Sequence, residues 1–427
     1  MMANREMKNS GIPWIGDIPI GWEIDTIGNL YTLRNEKVSD KDYPPLSVTK
    51  MGIVPQLETA AKTDDGDNRK LVRVGDFAIN SRSDRRGSCG ISAYDGSVSL
   101  INTVITPREQ MNPRFYNWLF HSELFADEFY KWGHGIVDDL WTTRWQEMKR
   151  ISIVAPSLEE QQKIASFLDR KCAEIDEMIV LQEKIVEELK IYKQSVITEA
   201  VTKGLNPDVP MKDSGIEWIG EIPEHWSICR LRNLGDTQNG ISKGGEFFGS
   251  GHPFLSYSDI YKNFSTPNPP SGLIESSAKE REQYSVLRGD VFFTRTSETI
   301  EEIGISSTCL ETINNACFAG FLIRFRPRTN HLHEGFSKYY FRSNIHRGYF
   351  VKEMNLVIRA SLSQDLLKSL PVLLPTTEEQ KLISAFLDKR CTEIDNLISI
   401  KLSKIDSLKE YKKSIIYEYV TGKKEVI

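Results

Sequence analysis

No stretch of this 427-residue chain approaches the roughly 18 consecutive apolar residues needed to span a bilayer, and its start lacks an apolar signal-like run. A membrane role is therefore excluded, and the sequence reads as a cytoplasmic one. The six cysteines, Cys89, Cys172, Cys229, Cys309, Cys317 and Cys391, form no CxxC pair, so neither a zinc ribbon nor a thioredoxin-like site is indicated. HExxH and GxxxxGK[ST] are also missing. Asn268-Pro269-Pro270-Ser271 lacks the aromatic of an amino-methyltransferase NPP[FY] loop. The expectation is a chain without catalysis, cofactor or metal of its own.

A basic domain is absent as well. The net charge of −5 divides into −2 for residues 1–156, −3 for 157–205, −1 for 206–375 and +1 for 376–427. A protein that grips nucleic acid mainly by neutralising phosphates shows a positive domain, so a stand-alone, non-specific binder is disfavoured. Either the chain does not touch nucleic acid, or it does so through local clusters and with help.

What the sequence does have is repetition at two offsets. Ser10–Ile24 and Ser214–Ile228 share ten identities in fifteen positions, 204 residues apart, around a Trp-Ile-Gly-x-Ile-Pro segment with a second Trp close behind. Glu159–Thr202 recurs as Glu378–Thr421 with 21 identities in 44 positions, 219 residues apart. Two copies of one scaffold thus carry two different inserts, about 23–155 and 227–374. The Trp segments read as apolar clasps, each packing near the end of the long helix of the other copy, or as plain lead-ins to a strand.

The longer repeat contains no Gly or Pro, begins after Pro156-Ser157, and stops at Gly204 and Pro207. With Leu168 at d, the apolar frame runs Cys172, Ile175, Ile179, Gln182, Val186, Leu189, Lys193, Val196 and Ala200. In the second copy it runs Leu387, Cys391, Ile394, Ile398, Lys401, Ile405, Leu408, Lys412, Ile415 and Tyr419. A 3.5-residue period kept this long predicts two coiled-coil helices, and antiparallel pairing would create a pseudo-twofold axis. The polar pairs Gln182/Lys401 and Lys193/Lys412 would then fix register. The alternative is that each helix simply covers the core of its own domain.

Both inserts carry short β-rich runs with equivalent turns at Gly75-Asp76 and Gly289-Asp290. Each following strand empties into a polar stretch: Asn80, Arg82, Ser83, Arg85 and Arg86 in the first copy, and Thr294, Arg295 and Thr296 in the second. Ser47, Thr49 and Lys50, and the glycine-rich Asn239, Ser242 and Lys243, are further candidates. Such side chains donate to phosphates and read base edges, although a solvated loop has the same composition. Arg324, Arg326 and Arg328 alternate along a predicted strand, as a phosphate-facing ridge or an ordinary solvent face. His331 and His333 read as surface histidines.

The Ser-Gly-Ile-x-Trp-Ile-Gly-x-Ile-Pro segments, the Pro-x-x-Glu-Glu-Gln starts at Pro156–Gln161 and Pro375–Gln380, and the Phe-Leu-Asp that follows each resemble the specificity subunits of type I restriction-modification systems. The resemblance implies an α+β chain. Two target-recognition domains, mixed β-rich sheets with helices, would be separated by a long antiparallel two-helix coiled coil with an internal pseudo-twofold repeat. The segments are 1–156 (first recognition domain with its clasp), 157–205 (first helix), 206–375 (second domain and clasp) and 376–427 (second helix). It implies sequence-specific recognition of an asymmetric bipartite double-stranded DNA target, one domain per half-site. The helices would set spacing and recruit modification subunits, two per chain, through outward residues that include Phe167 and Phe386. Methyl transfer, and cleavage by restriction subunits, would belong to those partners. A coiled-coil scaffold without DNA recognition and a divergent DNA methyltransferase are the rival readings.

Overall fold

The computed structural model describes residues 5–57, 66–82, 85–108, 111–135, 141–297, 303–328, 330–353 and 360–426. It divides into two compact units, residues 1–183 with 402–427, and residues 184–401. These units and the four sequence segments cut the chain along different lines. The helices Leu158–Lys203 and Thr377–Val420 each start in one unit and finish in the other.

The helix starts follow from their sequence. Thr376 Oγ1 accepts the Glu379 N–H (3.3 Å) while the Glu379 carboxylate accepts the Thr376 N–H (3.0 Å), a reciprocal capping box. Ser157 Oγ likewise accepts the Glu160 N–H at 3.3 Å. The stops are Gly204 and Gly422, at φ of +75° and +71°, a conformation that costs glycine least. Between start and stop the predicted frame is the buried one: Leu168, Cys172, Ile175, Ile179 and Val186 in the first helix, and Leu387, Cys391, Ile394, Ile405, Leu408 and Ile415 in the second.

In the first unit, Phe167 meets Tyr419 at 4.4 Å between ring centroids, and Asp176 meets Lys412 at 2.6 Å. One index rises as the other falls, so the paired helix segments are antiparallel. In the second unit, Lys193 reaches Asp395 at 2.6 Å. Both predicted polar a positions are therefore answered by an aspartate, and the two pairs are copies of one another at the 219-residue offset.

Each unit builds its insert on a four-stranded antiparallel sheet. In the first unit the order is Cys89–Ile91, Phe77–Asn80, Asn102–Pro107, Tyr31–Leu33. In the second it is Ser306–Thr308, Val291–Thr294, Leu322–Pro327, Gly235–Asn239. The orders are the same, although the two inserts share little sequence. Because side chains alternate faces along a strand, Val291 and Phe293 enter the core shared with the long helices, and Phe292 enters a second core with Phe254, Ile260 and Phe318. Each Gly-Asp turn anchors its sheet. Asp76 accepts from Arg34 (2.6 Å) and Thr106 (2.8 Å), and Asp290 accepts from Arg326 (2.6 Å).

The Trp segments close each unit. Trp22 and Trp226 are buried and donate to Glu160 (3.0 Å) and Glu379 (3.3 Å). The first segment receives the end of the second helix, where Tyr417 and Lys423 donate to the Ile15 carbonyl at 3.3 and 2.7 Å. The second receives the end of the first helix, with Trp226 packed in one core with Ile197, Ala200 and Val201.

Candidate nucleic-acid interface

The strand Phe77–Asn80 runs into Ser81 and Arg82, and Val291–Thr294 runs into Arg295 and Thr296. The two exits are held alike. Ser81 N–H donates to Ile101 O and Arg295 N–H to Phe321 O, at 3.3 and 2.9 Å. Ser81 O then accepts from Thr143 N–H (3.0 Å) and Arg295 O from Leu362 N–H (2.7 Å). One residue further, Arg82 bridges to Thr142 and Thr296 pairs with Ser361. One backbone frame therefore presents Ser81-Arg82 in one unit and Arg295-Thr296 in the other.

The candidate residues separate on this frame. Arg82, Arg295 and Thr296 are half-buried and Arg85 is exposed, while Ser83 lies outside the described residues. Arg86 pairs with Asp127. Asn80 and Thr294 correct the sequence expectation. Both are buried, Asn80 Oδ1 accepting the Arg82 N–H (3.0 Å) and Thr294 Oγ1 the Ile305 N–H (2.9 Å), so they shape the exit from within.

In the second unit the structure joins the glycine-rich stretch to this exit. A Cβ on Gly240 would lie 2.1 Å from the Ala319 carbonyl, and one on Gly320 would lie 2.4 Å from Ser242 Oγ. Only glycine permits the two chains to approach so closely. The turn at 319–321 thus carries Asn239 and Ser242 beside Arg295, and places Phe321, 65% exposed, at its tip. Lys243 is otherwise engaged, with Glu280 at 2.9 Å, the Glu275 carbonyl at 2.9 Å and the Phe247 ring at 5.1 Å. The Ser277 backbone N–H, and after it Lys243, hold the Glu280 carboxyl down at about 2.

Ser47, Thr49 and Lys50 belong elsewhere. They lie on the hairpin Leu46–Thr49 and Gly52–Pro55, where Ser47 Oγ accepts from Leu57 N–H (3.3 Å) and Thr49 Oγ1 donates to Gly52 O (2.9 Å). Lys50 lines a cavity that also touches the long helices. The alternating arginines are neither a ridge nor a free face. Arg324 is buried, donates to Ser285 O (2.7 Å), and burial pushes its guanidinium down to about 10. Arg326 is paired with Asp290 and Arg328 with Asp236. His333 caps a helix, accepting from Gly335 N–H at 3.2 Å.

Sequence reasoning missed two sets of residues. One comprises the exposed tips Leu100-Ile101 and Phe321, where only an apolar residue inside a turn gives a signal. The other is an apolar series on the helices, exposed in both copies at the 219-residue offset: Met178 and Leu397, Leu181 and Ile400, Tyr192 and Tyr411. Phe386 is also exposed, whereas Phe167 is half-covered by Tyr419. Among the described residues no cluster of His, Cys, Asp or Glu is arranged to hold a metal, and no helix is long and apolar enough to cross a membrane.

The two units thus present different polar side chains on one repeated backbone frame. Residues 223–421 match the type I restriction modification DNA specificity domain. The chain is 26% identical to the type I restriction enzyme MjaVIII specificity subunit of Methanocaldococcus jannaschii, over 95% of this chain and 93% of that one. It is 27% identical to the EcoKI specificity subunit of Escherichia coli K12, over 86% and 81%. The fold matches a chain solved in a study of type I R-M complex assembly and conformational transition (TM-score 0.73, 17% identity, 94% and 98% covered). It also matches the HsdS subunit of Thermoanaerobacter tengcongensis (TM-score 0.56, 18% identity, 95% and 98% covered). The chain is similar to type I specificity subunits in sequence, and its fold is similar to that of the two solved chains.

Proposed function

We propose that this chain is the non-catalytic, sequence-reading subunit of a type I restriction-modification complex, with one half-site of an asymmetric bipartite DNA target read by each unit. The observation that carries this is the pair of strand exits: one backbone frame, repeated, bearing different polar side chains. Equal frames with unequal readers suit one docking geometry on two different sequences. Arg82, Arg85 and Arg295, with Asn239, Ser242 and Thr296, are the proposed contacts, and the exposed helix residues are the proposed surface for two modification subunits. Restriction subunits would complete the assembly. Such partners would supply the basic surface that the chain lacks, so an acidic total is compatible with DNA binding.

The test is methylation and gel-shift selection on randomised duplexes by the chain co-expressed with its modification subunit. A selected target of two unequal half-sites is expected. Arg295→Ala should relax one half-site alone, and Arg82→Ala or Arg85→Ala the other, with a loss of about 1–3 kcal/mol where a base edge is read. Absence of any selected sequence would favour the scaffold reading, and S-adenosylmethionine bound by the purified chain alone would favour the methyltransferase reading.

A further inference from the structure

The two units differ at one repeated position beside the long helices, and the difference exposes a binding socket. In the second unit Phe264 is seated between three side chains. The Lys193 ammonium lies 5.3 Å and the Arg342 guanidinium 5.1 Å from its ring centre, and the Tyr339 ring lies 5.8 Å away. Its backbone extends the sheet, since Thr308 N–H donates to Phe264 O and Thr266 N–H to Thr308 O, both at 3.0 Å.

Each of these neighbours has a counterpart in the first unit. Lys412 answers Lys193 at the 219-residue offset. Trp118 answers Tyr339, because each donates to the aspartate of its own Phe-Leu-Asp: Trp118 to Asp169 at 2.7 Å, Tyr339 to Asp388 at 2.8 Å. His121 and Arg342 follow these aromatics by three residues. Ile91 answers Thr308, since they pair with Phe77 and Val291, the first residues of equivalent strands. Ile91, Trp118, His121 and Lys412 all line one cavity of about 880 Å³. Among the described residues, Ile91 makes no backbone hydrogen bond like the two of Thr308.

An aromatic residue on an extended segment fills this socket in one unit, and the same framework stands open in the other. The chain does not hold a spare filler, because its residues outside the described set include no Phe, Tyr or Trp. A second copy is a poor donor, its own Phe264 being held by Lys193 and Arg342. The wall sets Asp176, Asp406 and Glu410 against Lys50, Lys409, Lys412 and Lys413, a nearly balanced charge rather than the concentrated positive surface that phosphates require. We propose that the open socket receives an extended segment of the modification subunit, which pairs its backbone with Ile91 and lays a Phe or Tyr side chain against Trp118, His121 and Lys412. This rests on the reading of the chain as a partner of modification subunits.

Met51, 94% exposed at the hairpin tip, also lines the cavity and is the probe position. The full-length Met51→p-benzoylphenylalanine chain is co-expressed with the modification subunit, co-purified and irradiated, and amide exchange is followed in the unsubstituted chain, free and in the complex. Failure to co-purify would bring down the underlying reading itself. With a complex in hand, the expected result is a crosslink into a modification-subunit peptide that contains Phe or Tyr. Exchange at Ile91 should slow by about tenfold or more on assembly, while Thr308 is protected in both states. A crosslink to a second copy or to DNA, no crosslink at all, or an unchanged Ile91 rate overturns the proposal.

Discussion

At the scale of single residues, the Glu-Glu-Gln repeat is a fastening rather than a site. Gln161 and Gln380 are buried, and their amides bind the backbone on both sides. Gln161 accepts from Asn112 N–H (2.7 Å) and donates to Pro156 O (2.8 Å). Gln380 accepts from His333 N–H (2.8 Å) and donates to His331 O (2.8 Å) and Pro375 O (3.0 Å). Truncation leaves these groups buried without partners, so Gln380→Ala should lower stability by about 1–3 kcal/mol in urea unfolding. Gln380→Glu should also be destabilising, because a carboxylate cannot donate to the two carbonyls. His121 gives a pH signature. Burial lowers its pKa from the usual 6.5, with the Asn117 and Cys89 contacts opposing. The unfolded chain therefore takes up this proton first as pH falls, and stability is lost below about 6.5, through the window down to the folded value. His121→Gln should flatten that part of the slope when urea midpoints at pH 7.5 and 5.0 are compared.

At the scale of elements, the helices and their a/d frame were legible because a 3.5-residue period and its end signals are local properties of the sequence. Lys193 and Lys412 were legible as polar interruptions of the apolar frame, but their aspartates were not, lying 202 and 236 residues away in sequence. The strand exits were legible as polar stretches, yet polarity does not reveal exposure. Asn80 and Thr294 turned inward because a strand end must satisfy its own backbone, and Arg324 sits opposite Phe292 on a strand with both faces covered. The socket was invisible in the sequence, since its parts come from a strand, a short helix and the long helices, far apart along the chain. The Lys–Asp pairs are partly exposed and each contributes only about 0.2–1 kcal/mol, so the role proposed for them is to fix register rather than to add stability. Lys193→Asp should weaken the helix pairing, and adding Asp395→Lys should restore it. A double-mutant cycle by urea unfolding measures the coupling, and additive effects would show that the pair does not fix register.

At the scale of the whole molecule, two units are built on one frame, and among the described residues the long helices are the elements that run through both. The proposed role of those helices in setting half-site spacing yields a dimensional prediction. Seven residues inserted into a helix keep its a/d frame and lengthen it by about 10.5 Å, and DNA rises about 3.4 Å per base pair on each strand. One heptad inserted into both helices, near Gln182 and Lys401, should therefore keep both half-site sequences while lengthening the preferred spacer by up to about three base pairs. Rotation of the DNA by the added base pairs reduces the gain. Four residues inserted into one helix alone shift its apolar stripe against the partner, which should abolish assembly. Methylation of a spacer-length series reads both outcomes, and an active double-insertion variant with an unchanged optimum would show that spacing is set elsewhere.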